Sequence, residues 1–152
     1  MLTTTTQHAL RALTTLAVLP PGQRLLTREL ARITRTPVNY LGKILVTLEH
    51  AGLVSGKRGL HGGYCLGKPA HEIPLSLVVQ VLEGQGGLPT CLLAGFRDCS
   101  DENGCPVHNR FRHLRTQWEQ FLAETTLADL AEGAEKDVSK HFSLWYEEGG
   151  KV

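Results

Sequence analysis

The sequence predicts a mainly α protein with a small β-hairpin, and three observations point that way. Apolar residues recur at helical spacing through residues 8–48. Five glycines punctuate residues 53–69, where two short strand-like runs flank a basic stretch. Farther on, Val107, Phe111, Leu114, Trp118 and Phe121 step 4, 3, 4, 3 along one seam, the spacing of a long helix that packs against another.

From the N-terminus, residues 8–19 form a first helix with Ala9, Leu13, Leu16 and Ala17 on one side, and the Pro-Pro-Gly at 20–22 stops it. Thr27 is placed to cap a second helix that runs through Ile33 and turns Leu30, Ala31 and Ile33 inward. Residues 34–36 make a short polar turn. Thr36 then Pro37 reads as cap and first residue of a third helix, with Val38, Leu41, Leu45 and Leu48 on its core face. Gly52 ends that helix, whose opposite face presents Asn39, Tyr40, Lys43 and Thr47. Leu53–Val54 and Tyr64–Leu66 are the arms of a hairpin with Lys57, Arg58 and His61 at its tip. Residues 74–83 are a short helix with Leu75, Val78, Val79 and Leu82 inward, closed by glycines at 84, 86 and 87. After a cysteine-bearing loop, Pro106 opens the long helix, which runs to about Glu124.

Assembled, these elements give a winged helix-turn-helix head, the hairpin its wing, and then a long dimerisation helix. This layout sets one helix in the major groove of duplex DNA and a wing on the backbone or minor groove. Candidate DNA contacts are Thr36, Asn39, Tyr40 and Lys43 at the start of the third helix, with Arg58 and His61 in the wing. The alternative is an ordinary solvated helix face and plain hairpin charges. Phe111, Leu114, Trp118 and Phe121 are the candidate dimer interface, because that seam carries more apolar surface than one small domain covers; packing against the chain's own head is the alternative. Residues 1–70 are then the head, 71–132 the cysteine loop and dimerisation helix, and 133–152 a C-terminal extension of the same structural unit, loose at 147–152.

Charge divides the chain along the same line. Residues 1–70 hold nine Lys or Arg against two acids, Glu29 and Glu49, a net of +7. The remainder holds seven basic residues against thirteen acids, a net of −6, so the overall +1 conceals a strong asymmetry. A basic half fits a polyanion partner, although chance imbalance on solvated faces gives the same count. There is no charged-then-apolar leader and no long apolar span, so the expectation is a cytoplasmic protein without membrane association.

Cys91, Cys99, Cys105 and His108 make a C-x7-C-x5-C-x2-H pattern within one loop-like stretch. Thiolates and an imidazole this close suit zinc, or iron held in a cluster. The intervening Gly95, Asp98, Ser100, Asp101, Asn103 and Gly104 resist helix and strand, so the segment has little structure to lose when it wraps a metal. Inert buried cysteines usually sit on apolar faces, and disulfides are rare in the cytoplasm. Cys65, alone in a glycine-rich strand, reads as structural. Cys105 and His108, three residues apart, are placed on one face of the long helix's first turn, where the helix dipole favours anionic thiolates.

The N-terminal HALRAL, PVNYLGKIL, the GLVSGKRGLHGGYCL wing, CPVH and TLADL at 126–130 together resemble the IscR, NsrR and RirA family of bacterial iron–sulfur transcription regulators over about residues 1–132. The resemblance implies a homodimer that binds operator DNA under control of an iron–sulfur cluster, 2Fe–2S or 4Fe–4S, ligated by Cys91, Cys99 and Cys105. In IscR-like members a histidine just past the third cysteine completes the site, and His108 occupies that place. In NsrR-like members an acid near the partner's N-terminus does so; Gln7 stands there in this chain, and an amide is a poor iron ligand. The seven-residue first spacing resembles RirA rather than the five of IscR-like loops, which leaves Asp98, Asp101 or Glu102 as further oxygen donors.

Three other classes compete. A zinc-binding nucleic-acid protein fits the spacing, but this loop has one aromatic, Phe96, and one base, Arg97, against three acids. A thiol redox regulator would use the same DNA head without iron. An enzyme with a reactive cysteine lacks a converging base, oxyanion donors or nucleotide loop, so the chain reads as no enzyme.

Overall fold

A computed structural model gives the fold and describes residues 2–84, 88–89, 91–92 and 100–132. Within these residues lie six α-helices and one hairpin: α1 (Thr4–Ala17), α2 (Thr27–Thr34), α3 (Val38–His50), β1 (Val54–Lys57), β2 (Gly63–Leu66), α4 (Leu75–Glu83), α5 (His108–Glu124) and α6 (Leu127–Ala131). The architecture is mainly helical with a two-stranded antiparallel wing, as the sequence predicts.

α1 begins four residues earlier than apolar periodicity places it. The Thr3 hydroxyl accepts from Thr6 N–H and caps the helix, while Thr3 N–H and its hydroxyl both donate to Glu83 at the end of α4. α2 also starts differently. Thr27 is its first residue rather than its cap, and Glu29 reaches back to accept Leu26 N–H at 2.8 Å. The helix runs to Thr34 and stops because Arg35 adopts a left-handed backbone, φ 50°, with Thr36 N–H closing onto Ala31 O. Pro37 precedes α3 instead of opening it. Val38 leaves the core stripe and is 47% exposed, so Leu41, Ile44, Leu45 and Leu48 alone make the buried face.

In the wing, Val54 pairs with Leu66 and Lys57 with Gly63. Leu25 joins as a third edge through reciprocal hydrogen bonds with Tyr64, and the Arg24 guanidinium donates to Ser55 O and Gly63 O. Glu49 accepts Gly56 N–H, tying the wing to the end of α3. Burial, and next the nearby Glu49 carboxylate, hold the Tyr64 phenol above its ordinary titration range.

One core is shared by the head and the helices C-terminal to it. Leu13, Leu30, Leu41, Leu45, Leu48, Leu53, Ile73, Val78 and Leu127 are fully buried together. α1 is its axis and packs on α2, α3, α4, α6 and β2. The chain returns from α5 through Leu75 N–H to Thr125 O and Leu127 N–H to Ile73 O, and a Thr126–Asp129 capping box starts α6. No helix among the described residues is long and apolar enough to cross a membrane.

Candidate nucleic-acid interface and cysteine site

α3 presents Asn39, Tyr40, Lys43, Val46 and Thr47 to solvent. Asn39, Lys43 and Val46 follow the i, i+4, i+7 rule and share one stripe, with Gly42 open beside it. Val46, 46% exposed, was hidden from sequence reasoning because an apolar residue in a helix reads as core; only its offset from the Leu41–Leu45–Leu48 row marks it as outward.

Thr36 does not belong to this face. Its side chain is 5% exposed and its hydroxyl lies 2.8 Å from His8 Nδ1 and 3.0 Å from Thr34 Oγ1. Its polar atom is already engaged inside the head, so as a DNA contact it is corrected to a residue that fixes the start of α3. Tyr40 is half committed in the same way: its hydroxyl lies 2.6 Å from Thr5 Oγ1 and its ring meets His8 edge-on at 5.7 Å. Thr5, His8, Thr36 and Tyr40 thus lash the first turn of α3 to the first turns of α1. Burial, then the Arg11 charge, pushes the His8 imidazole below its ordinary value and so favours its neutral form. Lys57, Arg58 and His61 are all exposed at the wing tip, on the side of the chain where positive charge accumulates.

The cysteine site is described in part. Cys91 and Cys105 are half-buried; Cys99 lies outside the described residues, as do Asp98, the glycines at 86 and 87 and the extension from 133 onward. No disulfide joins Cys65, Cys91 or Cys105 to another described residue, and no three His, Cys, Asp or Glu converge among the described residues in a way that could hold a metal. Cys105 stands three residues ahead of α5 rather than in its first turn. The segment makes a tight turn first, with His108 N–H donating to Cys105 O at 2.9 Å, so the helix opens at His108 and not at Pro106. His108 Nε2 lies 3.1 Å from Asp101, and Arg112 one turn later binds the same carboxylate oxygen. These two partners, His108 before Arg112, hold the Asp101 carboxyl below the usual carboxylate range. A Cβ on Gly104 would fall 2.8 Å from the His108 side chain, so only glycine lets the loop lie flat on it. A histidine whose outer nitrogen is held by a carboxylate is oriented as metal-ligating histidines commonly are.

α5 exposes most of itself. Leu122 is its single fully buried residue among 17, and Leu114 and Phe121 are 55% and 49% exposed. Phe111 is half-buried. Trp118 is also half-buried, leaning on the chain's own core and stacking on Phe121 with ring centroids 5.7 Å apart. The seam is therefore split: Trp118 and Leu122 face inward, while Leu114 and Phe121 face out.

A helix-turn-helix within a basic N-terminal half, a wing and a second half that continues the same core define a winged-helix DNA-binding protein. The description of the Rrf2 family, iron-dependent transcriptional regulators, matches residues 2–133, and the chain belongs to this family. It is a transcriptional regulator of a DNA-binding family, not an enzyme. It is 34% identical over 126 residues to the HTH-type transcriptional repressor NsrR of Streptomyces coelicolor, covering 80% of each chain. Among solved structures it resembles IscR of T. potens, with a TM-score of 0.70, 25% identity and coverage of 90% of this chain and 89% of that one. It also shares the fold of CymR, the global cysteine regulator of B. subtilis, at a TM-score of 0.74, 24% identity and coverage of 87% and 96%.

Proposed function

We propose that this regulator works in the cytoplasm as a homodimer that binds paired DNA half-sites, and that an iron–sulfur cluster carried by Cys91, Cys99 and Cys105 controls that binding. Asn39, Lys43 and the solvent edge of Tyr40 enter the major groove, and Arg58 and His61 track the backbone into the adjacent minor groove. Residues 1–70 act as the head, 71–132 as the cysteine loop and dimerisation helix, and 133–152 as an extension.

The observation that carries the cluster reading is the seating of Cys105. Half-buried Cys105 stands three residues ahead of α5 and its carbonyl accepts His108 N–H, while the His108 ring meets Asp101, which Arg112 also binds. Sulfur donors of this kind suit iron, and the family is described as iron-dependent. Cys91, Cys99 and Cys105 would hold the cluster, with His108 as the candidate fourth ligand, and bound iron would supply sensitivity to redox state, nitric oxide or iron supply. The chain's own residues do the rest. Asp101 fixes the ring of His108, Gly104 lets the loop approach it, and α5 carries the state of the loop to the partner subunit and so to the spacing of the two heads.

The test is iron and acid-labile sulfide analysis with visible absorption on anaerobically purified protein. Brown protein holding iron and sulfide, lost in Cys105→Ala, supports the reading. Colourless protein holding zinc, or holding no metal yet binding DNA according to thiol oxidation, replaces it with the corresponding alternative.

A further inference from the structure

The wing tip carries an apolar residue that the polar contacts to DNA leave unexplained. Leu60 is 87% exposed, more than any other large apolar side chain among the described residues. It stands at the apex of the hairpin between Lys57–Arg58 and His61. Gly62 N–H donates to Gly59 O at 3.0 Å and closes a four-residue turn with Leu60 and His61 at its centre. His61 has φ 61°, the left-handed conformation that a type II turn requires at its third position and that glycine usually supplies.

The tip is locked from both sides. A Cβ on Gly62 would lie 2.4 Å from Lys57 O, and one on Gly63 2.5 Å from Leu25 O, so this backbone admits no side chain at either position. The turn therefore holds Leu60 outward.

Charge selects the partner. Residues 50–71 contain Lys57, Arg58 and Lys68 and no acid. A leucine framed by cations fits a surface that is anionic at its rims and apolar at its floor, and the minor groove, with phosphates outside and sugar C–H groups within, is such a surface. Leucine is among the side chains that wedge between base steps there.

We propose that Leu60 is an apolar wedge that the wing drives into the minor groove of duplex DNA beside the step reached by Arg58, partly unstacking one base step. The proposal rests on the docking reading above. Leu60 then confers a preference for easily unstacked pyrimidine–purine steps at the flank of each half-site, a specificity that no hydrogen bond from the head supplies.

The probe is a duplex selected by the wild-type protein from a randomised library, with 2-aminopurine placed in turn at the steps flanking each half-site. Wild-type binding raises fluorescence at one step. Leu60→Ala abolishes the rise and weakens affinity about tenfold, and Leu60→Met restores both. Leu60 has few neighbours to lose, so thermal unfolding of these variants matches wild type. If Leu60→Ala keeps the full rise and binds within about twofold of wild type while Arg58→Ala loses affinity, the wedge is refuted and the docking stands. If Arg58→Ala and Lys43→Ala also bind as wild type, the docking itself is wrong.

Discussion

Thr36 shows what a single hydroxyl does in this head. It sits between His8 on α1 and Thr34 at the end of α2, inside the junction that aims α3. Thr36→Val keeps the shape and removes the hydroxyl, leaving His8 Nδ1 without its partner, so urea unfolding should show a loss of about 1–3 kcal/mol. From the sequence Thr36 resembles a helix cap on the DNA face, because its true partner lies 28 residues away and no local pattern reveals it. Asn39 and Lys43 were legible because helical periodicity alone puts them opposite the buried Leu41–Leu45–Leu48 row. His8 adds a pH dependence. Its folded-state value lies below the ordinary 6.5, so the unfolded chain binds the proton more readily. The associated stability is fully present above pH 6.5 and is lost as pH falls from there through the lower folded value. His8→Gln should flatten this part of the stability–pH curve; an unchanged slope places the titration elsewhere.

At the scale of elements, α5 is the piece that one chain leaves unfinished. Its 17 residues span about 25 Å, yet Leu122 alone is fully buried. An isolated helix of this length is marginal in water, and packing of an apolar face is what stabilises it. Leu114 and Phe121 are the exposed apolar residues of α5 that the proposed dimer would cover. Leu114→Asp should convert the dimer to monomer in sedimentation at micromolar concentration while far-UV dichroism of the head persists. A wild type that already sediments as a monomer removes the dimer. The 4, 3, 4, 3 spacing made this seam legible, but spacing treats its members alike and gave no sign that Trp118 turns partly into its own core. The wing was legible from its glycines and β-forming arms. Its brace was not: Arg24 reaches carbonyls 31 and 39 residues away, a tertiary contact with no sequence signature.

Over the whole molecule, charge and core run on different lines. The core is continuous from α1 to α6, whereas the charge changes sign near residue 70. The division into a basic head and an acidic remainder is thus electrostatic before it is structural, which is why composition revealed it. A head of net +7 should bind DNA with a steep salt dependence, and Lys43→Ala should reduce the slope of log affinity against log salt by about one. An unchanged slope takes Lys43 off the phosphates. Glu83, which closes α4 just ahead of the cysteine loop, accepts two hydrogen bonds from Thr3 at the cap of α1. α1 in turn holds α3 through His8 and Thr5, so the end of α4 is joined to α3 within one chain. The measurement that tests control by the cysteine site most directly is the affinity of anaerobically purified protein for its selected duplex, taken on one preparation before and after chelation of its iron. A change of about tenfold or more, absent in Cys105→Ala, is the predicted result. Equal affinity in both states, with visible absorption confirming that a cluster was present and then removed, would contradict it.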